Sequence, residues 1–329
     1  MKKKAFITGA TGFIGSHLAE KLIEKDYEVT CLVRRTSNLR WLEKLPVKYH
    51  TGEISDKDSV LEGVRRQDYI FHLAGLTKAI KPVDYYRVNA DGTKNMIEAT
   101  LEAGHEIKRF VLLSSLAAAG PSPDALPIDE KTPPRPITDY GRSKLEAEKI
   151  TESFRSQIPI SIVRPPAVYG PRDKDIYLYF KMVNKGWSFL LGSHDQVLSF
   201  VYAPDLAESV IKVAECEESS GETYFASNPE PYTWSYVGSV IEKSLDKTKC
   251  RKIRIPFWMG NIIARIVETG TVLTKSPAVL NRQKILEAVQ PYWVCSPEKL
   301  NRDTGFSCST DIEKGMKNTA LWYKKMGWL

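Results

Sequence analysis

Tyr140 and Lys144 stand four residues apart in Tyr140-Gly141-Arg142-Ser143-Lys144, and the chain continues Leu145-Glu146-Ala147-Glu148-Lys149, a composition that favours helix. That spacing puts a phenol and an ammonium on one helical face, about one turn apart. A free phenol has a pKa near ~10, and lowering it by about three units takes roughly 4 kcal/mol of preferential stabilisation of the phenolate. A fixed ammonium beside the ring supplies that kind of field. The pair could therefore move a proton at a reacting oxygen. Ser115, placed 25 residues before Tyr140, closes the run Val111-Leu112-Leu113-Ser114-Ser115 and could hydrogen-bond the same oxygen. Ser114 is the alternative hydroxyl.

A second constellation suits a dinucleotide. Thr8-Gly9-Ala10-Thr11-Gly12-Phe13-Ile14-Gly15 follows an apolar strand directly and opens a helical pattern running to about Glu24. Glycines at this spacing make a tight turn, bring backbone N–H groups close to a pyrophosphate and let the helix pack closely on the strand. Eighteen residues beyond Gly15, where an NAD-selective site places an acid on the adenosine ribose, the chain has Val33, then Arg34 and Arg35. An acid there would repel a 2′-phosphate, whereas an arginine fork binds it. Arg34 is the expected contact, a solvated basic turn being the other reading. NADP(H) is thus expected in preference to NAD(H), with NAD(H) still usable.

These groups need a frame. Ala5-Phe6-Ile7, Glu28 to Val33, Val47-Lys48-Tyr49, Tyr69 to Leu73, Phe110 to Leu113 and Ile160 to Val163 read as strands separated by helical periodicity. Such alternation predicts an α/β fold, a Rossmann-type doubly wound parallel sheet. Leu198 to Val201 reads as a further strand and Asp205 to Glu215 as a helix, while the chain from about Pro229 is helix-rich and carries Trp234, Tyr236, Trp258, Trp293 and Trp322. The expected organisation is a cofactor-binding domain over residues 1–170, rejoined by 197–228, and a smaller cap lobe from 171–196 and 229–329.

Composition narrows the partners. The 329 residues carry 47 basic and 40 acidic side chains, a net +7 with no basic run longer than Lys2-Lys3-Lys4. A diffuse excess of this kind argues against nucleic acid and suits a small-molecule substrate. Cys31, Cys216, Cys250, Cys295 and Cys308 are odd in number and scattered, which points to reduced thiols in a cytoplasmic protein. His17, His50, His72, His105 and His194 lack metal-ligand spacing, so structural roles and no metal are expected. No membrane span is expected; the nearest candidate, Phe257 to Val272, carries Arg265 and Glu268 and reads as an amphipathic helix.

Taken together, the glycine string, Phe71-His72-Leu73-Ala74-Gly75, Asn89-Ala90-Asp91-Gly92-Thr93, Leu113-Ser114-Ser115, the Tyr140/Lys144 pair and Arg164 through Pro171 resemble an extended short-chain dehydrogenase/reductase of the NAD-dependent epimerase/dehydratase superfamily. The resemblance covers nearly the whole chain. It implies catalytic roles for Ser115, Tyr140 and Lys144. It further implies cofactor contacts at Gly9, Thr11, Gly12, Phe13, Ile14, Gly15, Leu73, Ala74, Asn89, Tyr140, Lys144, Pro165 and Val168, with Glu53-Ile54 beside the adenine. A homodimer is also expected.

Two branches of that family compete. Nucleotide-sugar members typically carry Asn where Arg164-Pro165-Pro166-Ala167-Val168-Tyr169-Gly170-Pro171 has Ala167, and Arg where Leu198-Ser199 stand; dehydratases want an Asp-Glu pair where this chain has Leu116-Ala117-Ala118. The pattern is closer to dihydroflavonol-reductase-like and 3β-hydroxysteroid-dehydrogenase-like members, which interconvert a secondary alcohol and a ketone. A nucleotide-sugar epimerase is the runner-up, and a non-catalytic dinucleotide-binding protein the third reading. An apolar substrate pocket is expected from Tyr169, Tyr177, Phe180, Trp187, Phe189 and Trp258, with Arg172-Asp173-Lys174-Asp175 as a solvated loop at its entrance.

Overall fold

The computed structural model describes residues 2–192, 194–247, 250–260, 262 and 282–329. The strands are β1 (Lys4–Thr8), β2 (Glu28–Val33), β3 (Lys48–Thr51), β4 (Tyr69–His72), β5 (Arg109–Leu113), β6 (Ile160–Arg164), β7 (Ala167–Tyr169), β8 (Trp187–Leu191), β9 (Val197–Leu198), β10 (Phe200–Tyr202), β11 (Thr223–Phe225), β12 (Tyr232–Thr233), β13 (Arg251–Ile255) and β14 (Tyr292–Trp293). Seven of them form one sheet in the order β11-β6-β5-β4-β1-β2-β3, with every pairing parallel. Parallel strands covered on both faces must be apolar throughout. Ala5, Phe6 and Ile7, and Phe110, Val111 and Leu112, accordingly have no exposed surface. The strand order reverses between β1 and β4, and ligands of such sheets bind outside the carboxyl ends at that reversal.

The helices are α1 (Phe13–Glu24), α2 (Lys57–Val64), α3 (Pro82–Tyr86), α4 (Gly92–Glu102), α5 (Leu116–Ala119), α6 (Asp139–Ser153), α7 (Asp175–Asn184), α8 (Ala203–Glu215), α9 (Trp234–Ser244), α10 (Arg282–Ala288), α11 (Glu298–Thr304) and α12 (Ile312–Lys325). Leu18 and Leu22 of α1 and Leu206 and Val210 of α8 pack in one apolar cluster, and Val60, Met96 and Ala147 of α2, α4 and α6 in a second. A third cluster joins Phe180 of α7, Val237 and Ile241 of α9 and Met316 and Tyr323 of α12 around Tyr169 and Phe200.

Leu198 to Val201 is not one strand. Ser199, whose hydroxyl accepts the Cys295 N–H at 3.1 Å, separates β9, which pairs with β12 and β14, from β10, which pairs with β7. A run of four apolar and hydroxyl residues gives no sign of such a change of partner. The Phe257 to Val272 helix falls mostly outside the described residues. Among those described, no helix is long and apolar enough to cross a membrane.

Candidate active site

The glycine string folds as its spacing requires. Gly9 has φ +72°, and a Cβ there would lie 2.8 Å from the Ala74 nitrogen. At Gly15 a Cβ would come within 2.2 Å of the Gly9 carbonyl oxygen, so only glycine lets α1 start this close to β1. Helix α1 opens at Gly12 with no side-chain cap. Its first-turn N–H groups and the positive end of its dipole are left facing the cleft, an arrangement suited to a pyrophosphate. Glycine-rich turn, uncapped helix and strand reversal together fit a dinucleotide.

A cavity of about 660 Å³ runs from this turn and is lined by Gly9, Thr11, Gly12, Phe13, Ile14, Gly15, Arg34, Glu53, Ile54, Leu73 and Ala74. The far end adds Ser37, Asn38, Arg40 and Trp41. The Arg34 N–H donates to the Ser37 hydroxyl at 2.9 Å, and the Arg40 guanidinium lies 4.2 Å from the Trp41 ring centre. Sequence reading singled out Arg34 and missed Arg40 and Trp41, because nothing in their spacing marks them.

A neighbouring cavity of about 550 Å³ shares Phe13, Ile14, Leu73 and Leu113 with the first and contains Ser115, Tyr140, Lys144, Pro165 and Val168. Ser115 begins α5, its hydroxyl accepting the Ala117 N–H at 3.1 Å. Tyr140 lies in the first turn of α6, whose cap Thr138 accepts the Gly141 N–H at 3.1 Å. A Cβ at Gly141 would sit 2.3 Å from the Ala117 carbonyl oxygen, so this glycine lets α6 approach α5 and brings phenol and hydroxyl into one cavity. Burial raises the Tyr140 phenol above its ordinary pKa, while a hydrogen bond from Ser115 and the Lys284 charge pull it back down. Lys144 donates to the Leu113 carbonyl at 2.6 Å, and burial lowers its ammonium to about 8, against the opposing pull of Glu148.

Ser114 has another task. Its hydroxyl donates to Glu148, which also receives Arg164 through Nε at 2.9 Å and Nη2 at 2.6 Å, all three residues being buried. Asn89 lines neither cavity. It sits in a π-helical turn at Arg87–Asp91, donates to the Leu76 carbonyl at 3.0 Å and the Ser143 hydroxyl at 2.9 Å, and accepts the Leu76 N–H at 2.7 Å. It therefore braces the turn after β4 against α6 from behind. His72 is held similarly: Thr8 Oγ1 lies 2.7 Å from Nδ1, and Thr93, which donates to the Asn89 carbonyl at 2.6 Å, lies 3.1 Å from Nε2. Thr93 must then accept from Nε2–H, and burial lowers His72 to about 3, so the ring is neutral.

Of the six aromatics expected in the pocket, only Tyr169 lines it. Phe180 is fully buried in the third cluster, Tyr177 packs on Trp328 at 5.1 Å, Trp187 lies under Arg251 at 5.6 Å, Phe189 pairs with Ile253 where β8 meets β13, and Trp258 is exposed. Leu198 also packs among the clusters rather than at the cavity. The apolar lining comes instead from Ile176, Leu178, Tyr179, Met182, Phe200 and Trp234. The 172–175 loop is likewise not simply solvated. Arg172 pairs with Glu20 and packs 5.1 Å from the Trp41 ring, while the buried Asp173 carboxylate accepts the N–H groups of Asp175 at 2.8 Å and Ile176 at 3.2 Å. The sequence conceals this because α7 and α10 reach the site from distant segments.

A dinucleotide cleft at the sheet reversal, opening into a cavity with a serine, a tyrosine and a lysine at the ends of β5 and α6, defines a Rossmann-type protein of the short-chain dehydrogenase/reductase kind. The chain belongs to the NAD dependent epimerase/dehydratase family, which it matches over residues 5–226. It is 28% identical over 98% of its length to a ceramide reductase of Caulobacter vibrioides, covering 95% of that protein. It is 29% identical over 99% of its length to a UDP-N-acetyl-alpha-D-glucosaminuronate decarboxylase of Bacillus cytotoxicus, covering 99% of that protein. The UDP-glucose 4-epimerase of Thermotoga maritima, solved with UDP-glucose, has a similar fold, with a TM-score of 0.81 at 20% identity over 98% of this chain and 99% of that one.

Proposed function

We propose that this chain is an NADP(H)-dependent oxidoreductase that interconverts a secondary alcohol and a ketone on a mainly apolar small molecule. The observation that carries the reading is the cavity above Tyr140, where Leu178, Tyr179, Met182, Phe200 and Trp234 line the substrate side and Ala167 offers nothing to a phosphate. An apolar substrate, as the name of the ceramide reductase relative suggests, suits such a lining. Affinity would come largely from apolar burial, at about 25 cal/mol per Å².

Gly9, Thr11, Gly12, Phe13, Ile14, Gly15, Leu73, Ala74, Pro165 and Val168 would hold the cofactor, with Glu53 and Ile54 beside the adenine and Arg34 at the 2′-phosphate. When bound, the nicotinamide would supply or accept the hydride. Tyr140 then gives its phenolic proton to the carbonyl oxygen in reduction and recovers it in oxidation. Ser115 orients that oxygen by hydrogen bonding, and the Lys144 ammonium favours the phenolate. Asn89 and His72 keep the turn after β4 and the start of α6 in register.

Nucleotide-sugar chemistry is the second reading, supported by the full-length similarity to the glucosaminuronate decarboxylase. Among the described lining residues the cations are already engaged, Lys144 by the Leu113 carbonyl and Lys284 by Glu287, so a diphosphate in this cavity would leave charge poorly paired, at a cost of several kcal/mol, about 2–7 for each desolvated polar group. Competition with the NADP-loaded protein separates the two. Apolar ketones and alcohols are expected to bind, whereas uridine or thymidine diphosphate is expected not to; the reverse pattern would replace the alcohol–ketone reading with the epimerase one.

A further inference from the structure

We infer that Lys284, carried by α10, is a positioning residue for proton transfer, its ammonium stabilising the Tyr140 phenolate from the cap side of the cavity. The inference deepens the oxidoreductase reading and rests on it for the role of Tyr140.

Lys284 and Tyr140 line the same cavity. Helix α10 is fastened to the start of α6 at the two residues before Tyr140. Gln283 accepts the Asp139 N–H at 2.8 Å and donates to the Asp139 carboxylate at 2.6 Å, while the Thr138 hydroxyl donates to Glu287 at 3.3 Å. Lys284 is in turn held by Glu287 at 2.8 Å on the same helix. Among the described residues, the groups facing the phenol are Ser115 from the start of α5, Tyr85 of α3 with its ring centre 6.2 Å away, Lys144 of the same helix, and Lys284 and Glu287 of α10; Asp139 and Asp175 lie close by. Lys144 directs its ammonium to the Leu113 carbonyl, while the Lys284 charge draws the phenol's pKa down from the cap side. The effect is mutual, since Tyr140 in turn favours the charged form of Lys284. Glu287 opposes Lys284 at Tyr140 while keeping the lysine charged. Substrate bound in the cavity that α7, α9 and α10 line would then meet a phenol whose proton is tuned from the cap.

The test reads the phenol itself. With 3,5-difluorotyrosine incorporated at position 140, fluorine NMR follows its ionisation without any turnover. Lys284→Gln is expected to move the midpoint up by about one pH unit. Lys284→Arg should keep it near the parent value, and Glu287→Gln, which retains the lysine, should move it down. An unchanged or lowered midpoint in Lys284→Gln would overturn the inference. If Lys284→Gln does not fold, Lys284→Met is read in its place, with the same upward shift expected. Absence of ketone reduction would instead count against the oxidoreductase reading and leave the titration interpretable.

Discussion

Tyr140→Phe is expected to lower turnover by about 10²- to 10⁴-fold while leaving cofactor affinity nearly unchanged. The substitution removes one hydroxyl and keeps the ring that packs tilted against Tyr85. Nothing in the glycine turn or α1 depends on that hydroxyl, so the dinucleotide should still bind. Ser115 can still orient the carbonyl oxygen but cannot replace the proton donor, because an aliphatic hydroxyl is a far weaker acid than a phenol and this one caps α5 by accepting the Ala117 N–H. Steady-state rates paired with cofactor titration check this. Turnover within about tenfold of the unaltered protein would remove Tyr140 from the catalytic assignment.

Arg34→Ala should weaken NADPH binding by about 10- to 150-fold, corresponding to roughly 1.5–3 kcal/mol for a lost charge-assisted contact. NADH binding should stay nearly constant. Arg34 follows the last residue of β2, where the lining holds Ser37, Asn38 and Arg40. The exposed guanidinium would pair with a 2′-phosphate, and Arg40 would retain part of the attraction after the substitution, which sets the lower end of the range. Titration of both proteins with both cofactors measures it. Equal affinity of the unaltered protein for NADPH and NADH would refute the preference.

What the sequence made legible follows from the range of the forces involved. The glycine turn, the Tyr140/Lys144 pair and six strands of the parallel sheet are written in local spacing, because a tight turn, a helical face and a doubly buried strand each impose their pattern within a few residues. The seventh strand, β11, holds only Thr223–Phe225 and carries no such pattern. Ser114 and Ser115 are indistinguishable as letters; what separates them is Glu148, a turn beyond Lys144 on the same helix, which engages Ser114 together with Arg164. The pocket lining was the least legible part. Any aromatic in the second half of the chain could have faced substrate, and the choice of Phe200 and Trp234 over Phe180 and Tyr177 was made by how α7, α9 and α12 pack.

The central claim is net transfer of hydride between NADPH and an apolar carbonyl compound, and isotopic labelling follows that transfer directly. NADPH carrying deuterium on the transferred position of the nicotinamide is incubated with the protein and a panel of long-chain and polycyclic ketones. The account predicts deuterium at the carbinol carbon of the product, with NADP⁺ and alcohol formed in equal amounts. Interconversion of a nucleotide sugar with no accumulation of oxidised cofactor, and no label passing to any ketone in the panel, would contradict it.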